Sequence, residues 1–117
     1  MDKIVKLIKE SNPQAKIVFV ATISPNKSLY ALRQVELSKE KRVQWANERI
    51  AYIKNHIKYA KDHHIPLVNV YEKSLDEKRD GQIKYISETD YIHPSPKGIY
   101  LISEEIAKFI FENNILN

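Results

Sequence analysis

Two ionisable residues three positions apart are the best candidates for chemistry in this chain. Asp90 and His93 stand in the segment Asp90-Tyr91-Ile92-His93-Pro94, which leads into an apolar-periodic C-terminal stretch. A carboxylate at this spacing can accept a hydrogen bond from one imidazole nitrogen, which leaves the other nitrogen free to act as a base. The segment therefore predicts the acid and the base of a catalytic triad at Asp90 and His93.

The nucleophile and the oxyanion hole of such a triad have no counterpart in the sequence. A nucleophilic serine needs a sharp, glycine-bearing turn, and the oxyanion needs backbone or amide donors beside it. Gly81 and Gly98 are the only glycines, neither precedes a suitable serine, and no Gly-Asp-Ser or Gly-x-Asn-Asp occurs. Ser24 follows an apolar run but lacks a neighbouring glycine, so we interpret it as a turn residue. No nucleophile and no oxyanion-hole residue is predicted.

Neither metal nor cofactor sites are indicated. The remaining histidines, His56, His63 and His64, form no His-x-x-x-His pair, and the chain has no cysteine. A glycine-rich phosphate loop, which a nucleotide cofactor would need, is also absent from the sequence. We therefore predict no cofactor and no metal.

Composition predicts one small domain with a mixed, solvated charge. The 117 residues carry a net charge of +4, but basic and acidic residues alternate, as in Lys39-Glu40-Lys41-Arg42, without a long basic run. This favours a lysine-rich surface over nucleic-acid binding. No apolar run is long enough to span a membrane, and the first residues do not resemble a signal peptide. The cellular compartment stays open, because the chain could begin inside a longer protein.

Five main elements are predicted along residues 1–117. Apolar periodicity indicates helices over about 2–11, 38–63 and 96–113. Continuous β-branched and aromatic runs indicate buried strands over about 16–22 and 67–71. A strand, a long helix and a second strand form a βαβ unit, so the two strands are expected to be parallel.

Serines are expected to begin the two longer helices. Ser38 and Ser95 stand at N-cap positions, and Pro96 suits a first helical turn. The opening helix has an apolar stripe formed by Ile4, Val5, Leu7 and Ile8. The predicted apolar face of the long helix comprises Val43, Ala46, Ile50, Ile53, Ile57 and Ala60. That of the last helix comprises Ile99, Ile102, Ile106, Phe109 and Ile110.

The motif Asp90-x-x-His93-Pro-x-x-x-Gly98 resembles the last conserved block of the SGNH (GDSL-type) ester hydrolases. Residues 11–20 are similar to the family's strand that follows an Asn-Pro turn, and residues 64–71 are similar to its Ile-Pro-Leu-Val strand. Asn69 stands where that family commonly has aspartate. The resemblance covers nearly the whole chain, but only the C-terminal half of the family.

The resemblance implies an α/β protein, namely the C-terminal part of a three-layer α/β/α, flavodoxin-like hydrolase domain. It implies a serine esterase or acetylhydrolase that acts on a small ester, with Asp90 and His93 as triad acid and base. Without nucleophile and oxyanion donors, the chain by itself is expected to be inactive. The alternative is a non-catalytic α/β module for binding or assembly.

The same resemblance leaves one strand without a neighbour. In the family's complete sheet, a further strand would lie beside residues 16–22. An open strand edge exposes backbone donors and acceptors to another chain. We therefore expect a homo-oligomer, or a complementing chain, to cover this edge.

Overall fold

The computed structural model describes residues 2–116 as a small parallel sheet between helices. The sheet has two strands, β1 (Phe19–Ala21) and β2 (Leu67–Asn69). The helices are α1 (Asp2–Ser11), α2 (Lys39–Asp62), α3 (Val70–Lys73) and α4 (Pro96–Glu112), and a 3₁₀ turn spans Ile83–Tyr85. No helix in this part of the chain is long and apolar enough to cross a membrane.

The two strands are parallel and separate two helical layers. Val20 pairs with Val68, and Ala21 pairs with Asn69. Neighbouring positions along a strand point to opposite faces, so Ala21 packs against Ile50 and Ile53 of α2. Val68 faces the other way, where the partly buried side chains of α4 pack against it. This order of helix, sheet and helix confirms the predicted three-layer α/β/α arrangement and its parallel strands.

Both strands are shorter than predicted. The second strand was expected to reach Tyr71, but it ends at Asn69, whose Oδ1 accepts a hydrogen bond from the Glu72 amide at 3.1 Å. This side-chain cap starts α3, so Val70 and Tyr71 are helical and buried rather than extended. The first strand was expected over 16–22, yet it pairs only where β2 lies opposite, over Phe19–Ala21.

The predicted helices are confirmed to within one residue at each end. Ser38 Oγ accepts the Lys41 amide at 3.1 Å, and Ser95 Oγ accepts the Gly98 amide at 3.1 Å, so both expected N-caps form. Two predicted positions on the helix faces are wrong. Val43 of α2 is 37% exposed and Ile99 of α4 is 55% exposed, and Leu101 packs against the core instead of Ile99. The charged segment 39–42 was expected to be exposed to solvent throughout, but its last residue, Arg42, is buried.

Apolar side chains of α1 and β1 remain exposed. On α1 only Val5 is buried, whereas Ile4, Leu7 and Ile8 of the predicted stripe are exposed. Val20 of β1 is 43% exposed, although its partner Val68 is buried. The edge of β1 that faces away from β2 has no strand beside it within residues 2–116.

Gly98 allows the first turn of α4 to lie directly against the 3₁₀ turn. A Cβ atom at Gly98 would stand 2.2 Å from the Tyr85 carbonyl oxygen and 3.0 Å from the Pro94 side chain. The Ser95 amide donates to the same Tyr85 carbonyl at 2.9 Å. Only glycine permits this approach, which fixes where the loop before α4 ends.

We expect Gly98→Ala to destabilise the protein by about 1 to 3 kcal/mol, because the backbone must shift to admit a methyl group. In an unobstructed helix the same change would stabilise by about 1 kcal/mol, so the sign of the effect is diagnostic. Urea unfolding measures it, with the exposed α4 substitution Ser103→Ala as control. A Gly98→Ala protein as stable as the wild type would contradict the close approach.

Candidate active site

The Asp90–His93 segment lies in a loop whose two ends are joined. Ile86 and Pro94 form an antiparallel bridge, and the Ser87 amide donates to the His93 carbonyl at 2.8 Å. The Tyr91 amide in turn donates to the Ser87 carbonyl at 2.8 Å. These bonds join the two ends of the loop immediately before α4. The conformation of the loop is therefore stabilised by backbone hydrogen bonds as well as by side chains.

The carboxylate of Asp90 organises the backbone of this loop. Its Oδ1 accepts the amides of Ile92 at 2.8 Å and His93 at 3.0 Å. Tyr91, between Asp90 and Ile92, has a φ of 56°, in the left-handed region that non-glycine residues rarely adopt. This left-handed turn brings both amides to one oxygen and leaves Oδ2 for another partner.

That partner is the imidazole of His93. Nδ1 of His93 lies 2.5 Å from Asp90 Oδ2. This hydrogen bond, together with the Ile92 and His93 amides, lowers the pKa of Asp90 from 3.8 to about 2. A carboxylate that stays ionised can only accept, so Nδ1 carries the proton and Nε2 is the bare nitrogen of the neutral ring.

The two side chains differ sharply in exposure. The carboxylate of Asp90 is 14% exposed, whereas the imidazole of His93 is 77% exposed. Nε2 makes no hydrogen bond with any residue of the described range 2–116. The structure thus brings the two predicted site residues together, as expected, with the basic nitrogen of His93 directed to an open surface.

The segment after β1 packs against this loop. The Ala31 amide donates to the Tyr91 carbonyl at 3.4 Å, and the guanidinium of Arg33 lies 5.8 Å from the centre of the Tyr91 ring. Tyr91 also packs against a core cluster that contains Ile23 and Val68. The site therefore lies at the carboxyl ends of the parallel strands, where ligands and catalytic groups collect in open α/β sheets.

A buried polar junction holds the connections after β1 and β2 together. The Ser24 amide donates to Ser74 Oγ at 2.8 Å, and Asn26 Nδ2 donates to the Gly81 carbonyl at 3.0 Å. A Cβ atom at Gly81 would stand 2.5 Å from the carbonyl oxygens of Ser24 and Pro25, so the two connections are in close backbone contact. This junction anchors the segment that reaches Tyr91.

The serine after β1 and the serine before α4 are engaged elsewhere, and Ser87 Oγ, within the loop itself, accepts the Thr89 amide at 3.2 Å. Ser24 is 1% exposed, and its Oγ donates to the Pro25 carbonyl at 2.9 Å. Ser95 Oγ donates to the Lys84 carbonyl at 2.6 Å while it caps α4. Within residues 2–116 no serine hydroxyl is hydrogen-bonded to His93, and no group of three or more metal-binding side chains is assembled.

Sequence reasoning missed the conformation of Tyr91 and the burial of Arg42. Tyr91 gives no sequence signal for its left-handed conformation, since asparagine or glycine is the usual residue there. Arg42 does give one, because it precedes Ala46 and Ile50 at intervals of four and so belongs to the buried face of α2. Because arginine is charged, Arg42 was not assigned to the buried face of α2.

Comparison with known proteins identifies the fold. No protein-family model matches the chain, and no curated protein matches its sequence. The esterase domain of the ORF1 protein from the zebrafish ZfL2-1 retrotransposon matches in structure, with a TM-score of 0.59 and 14% identity over 95% of this chain and 55% of that one. A GDSL-like lipase from Bacteroides thetaiotaomicron has a TM-score of 0.58 and 21% identity over 96% of this chain and 49% of that one.

The chain has the fold of the GDSL-like, or SGNH, hydrolases. This confirms the fold that the terminal motif predicts. The chain spans about half the length of the solved structures that it matches. At these identities the likeness establishes the fold alone, and the roles of individual residues rest on the geometry above.

The lowered pKa of Asp90 predicts a specific dependence of stability on pH. A carboxyl whose folded pKa lies below its unfolded value stabilises the fold above the unfolded pKa of 3.8, and this contribution is lost as pH falls through about 2. The free energy of unfolding of the wild type should therefore exceed that of Asp90→Asn near neutral pH. The difference should shrink between about pH 4 and pH 2.

Urea unfolding of both proteins across this range measures the difference. His93→Ala is the matched variant, because it removes the largest cause of the lowered pKa and keeps the carboxylate. When both proteins also carry His93→Ala, the loss of this difference should be complete at a higher pH, because the folded pKa of Asp90 is then closer to its unfolded value. A difference between wild type and Asp90→Asn that stays constant with pH would contradict the hydrogen bonding described for Asp90.

Proposed function

We propose that Asp90 and His93 are the acid and the base of a serine ester hydrolase of the GDSL type. The observation that carries this proposal is the 2.5 Å contact between His93 Nδ1 and Asp90 Oδ2, with the His93 ring otherwise open to solvent. The position of the pair at the carboxyl ends of the parallel strands, in a fold shared with an esterase domain and a GDSL-like lipase, supports it.

In the proposed reaction His93 transfers a proton twice. Nε2 accepts the proton of a serine hydroxyl as the serine oxygen attacks the ester carbonyl, and Asp90 stabilises the imidazolium that forms. Nε2 then donates that proton to the leaving alcohol, which gives an acyl-serine. A water molecule attacks the acyl group with His93 again as base, so the acid is released and the serine is restored.

The proposal requires a serine and oxyanion donors from outside residues 1–117. Ser24, Ser74 and Ser95 are occupied by capping or buried hydrogen bonds, and no serine follows a Gly-Asp pair in the sequence. We propose that the remaining machinery belongs to polypeptide beyond this chain, whether contiguous with it or separate. The 117 residues alone are then inactive.

The test uses a fluorophosphonate probe, which bonds covalently to activated serines. The chain is tagged and purified from its native host in whatever polypeptide or complex contains it. We expect labelling of a serine outside residues 1–117, and we expect His93→Ala to abolish it while Lys97→Ala, an exposed neighbour, leaves it unchanged. The isolated chain should not be labelled, and it should hydrolyse p-nitrophenyl acetate no faster than the same concentration of free imidazole.

Two results would overturn the proposal. One is rapid, His93-dependent ester hydrolysis by the isolated chain, which would place a nucleophile within it. The other is a native polypeptide or complex that is folded but has no fluorophosphonate-reactive serine, which would favour the alternative of a non-catalytic binding or assembly module.

We further propose that the nucleophile-bearing polypeptide covers two open surfaces, the outer edge of β1 and the exposed stripe of α1. The Phe19 amide donates to the Pro66 carbonyl at 2.8 Å, so the alternation of a strand directs the Val20 amide and carbonyl away from β2. Val20 and Leu7 are 43% and 64% exposed. A partner strand paired with this edge would satisfy the backbone groups, and apolar side chains of the partner would bury Val20 and Leu7.

Without that partner, two copies of the isolated chain should pair through these open surfaces. Size-exclusion chromatography with light scattering at micromolar concentration is expected to show a dimer or larger species. Leu7→Glu should shift it toward monomer, because it places a charge among the exposed apolar residues. The control is Tyr100→Glu, which changes an exposed residue of α4 that belongs to neither surface. A stable wild-type monomer would contradict the prediction.

A further inference from the structure

Arg42 is a buried cation that holds a turn rather than a carboxylate. It is 6% exposed, and none of the ion pairs formed within residues 2–116 involves it. Its guanidinium donates to three backbone carbonyls of the segment after β1: Tyr30 at 2.6 Å, Val35 at 3.2 Å and Leu37 at 3.5 Å. A buried charge is tolerated when its donors are satisfied in this way, and here its contacts close one turn of chain.

The turn that Arg42 closes, residues 30–37, is folded tightly on itself. Ala31 is 2% exposed and has a φ of 57°, in the left-handed region. Its carbonyl accepts the amides of Gln34 at 3.0 Å and Val35 at 3.1 Å. A left-handed alanine persists only when its surroundings fix it, and the guanidinium of Arg42 bonds to carbonyls at both ends of this turn.

The same turn contacts both the backbone and the ring of Tyr91. The Ala31 amide points to the Tyr91 carbonyl at 3.4 Å, and Arg33 lies over the Tyr91 ring at 5.8 Å. Tyr91 is itself left-handed, with a φ of 56°. It stands between Asp90 and His93, so its conformation decides whether one Asp90 oxygen can accept both following amides and leave the other oxygen for the imidazole.

We propose that Arg42 is a positioning residue for the Asp90–His93 pair, acting through the turn 30–37 and Tyr91. The guanidinium contacts neither member of the pair. It stabilises the turn, and the contacts of that turn keep Tyr91 left-handed. The left-handed Tyr91 then keeps the side chains of Asp90 and His93 within hydrogen-bonding distance. The catalytic role of the pair rests on the proposed function, but the mechanical link does not depend on it.

Arginine is suited to this task because of its shape. Its planar fork presents several donors at fixed angles, so one side chain can bind three carbonyls of the same turn at once. A lysine would offer a single compact ammonium group and could not satisfy the same set. Arg42→Lys is therefore expected to loosen the turn even though it keeps the charge.

The test follows the Asp90 carboxyl by carbon-detected NMR during a pH titration of the isolated chain. In the wild type the pKa of Asp90 is expected at about 2. In Arg42→Gln, and to a smaller extent in Arg42→Lys, we expect it to rise by about one unit toward its unfolded value, because the hydrogen bonds to its carboxylate are loosened. Arg49→Gln, an exposed arginine of the same helix, should leave the value unchanged.

The titration separates positioning from general stability. Arg49→Gln and Arg42→Gln are compared only where amide spectra show a folded protein, so a change at Asp90 reports the site and not unfolding. If Arg42→Gln does not fold, the exposed Arg33→Gln removes the contact with the Tyr91 ring and should raise the Asp90 pKa in the same direction. An Asp90 pKa that stays at about 2 in the folded Arg42→Gln protein, or in Arg33→Gln when Arg42→Gln does not fold, would overturn the proposal.

This outcome is independent of the proposed hydrolase activity. A chain whose Asp90 pKa responds to Arg42 but whose native polypeptide has no reactive serine would support the positioning role and refute the enzymatic one. A native polypeptide with a reactive serine, combined with an Asp90 pKa that does not respond to Arg42, would support the enzymatic role and refute the link through Tyr91.

Discussion

The site depends on the hydrogen bonds that the carboxylate of Asp90 accepts. Its Oδ1 gathers the amides of Ile92 and His93, and its Oδ2 holds the imidazole of His93 at 2.5 Å. These bonds oppose the strain of a left-handed Tyr91 and determine where the loop enters α4. The close approach of Gly98 to the Tyr85 carbonyl and the cap at Ser95 then fix that helix against the loop.

The sequence was sufficient to predict the elements whose patterns are local. The helix over Lys39–Asp62 has a serine cap and a periodic apolar face, and the β-branched runs around Val18 and Val68 indicated the two strands that pair over Phe19–Ala21 and Leu67–Asn69. A helix between two such strands fixes their parallel direction. The spacing of Asp90 and His93, followed by a proline and a helix, was enough to place both side chains in contact.

The remaining features depend on contacts between distant residues. Asn69 ends β2 by capping α3, which competes with the strand preference of Val70 and Tyr71. Tyr91 is left-handed because its neighbours hold it so, and no local preference of tyrosine predicts this. Arg42 is buried because three carbonyls of a turn surround it, whereas its charge suggested a solvated surface.

The base of the pair should already have its basic nitrogen unprotonated and exposed in the isolated chain. Nitrogen-15 NMR of the neutral His93 ring tests this most directly, because it distinguishes a protonated Nδ1 from a protonated Nε2. We expect the proton on Nδ1, facing Asp90, with Nε2 bare, and a mixture of both forms in Asp90→Ala. A His93 ring with its proton on Nε2, or an equal mixture in the wild type, would contradict the claim that Asp90 orients a catalytic base.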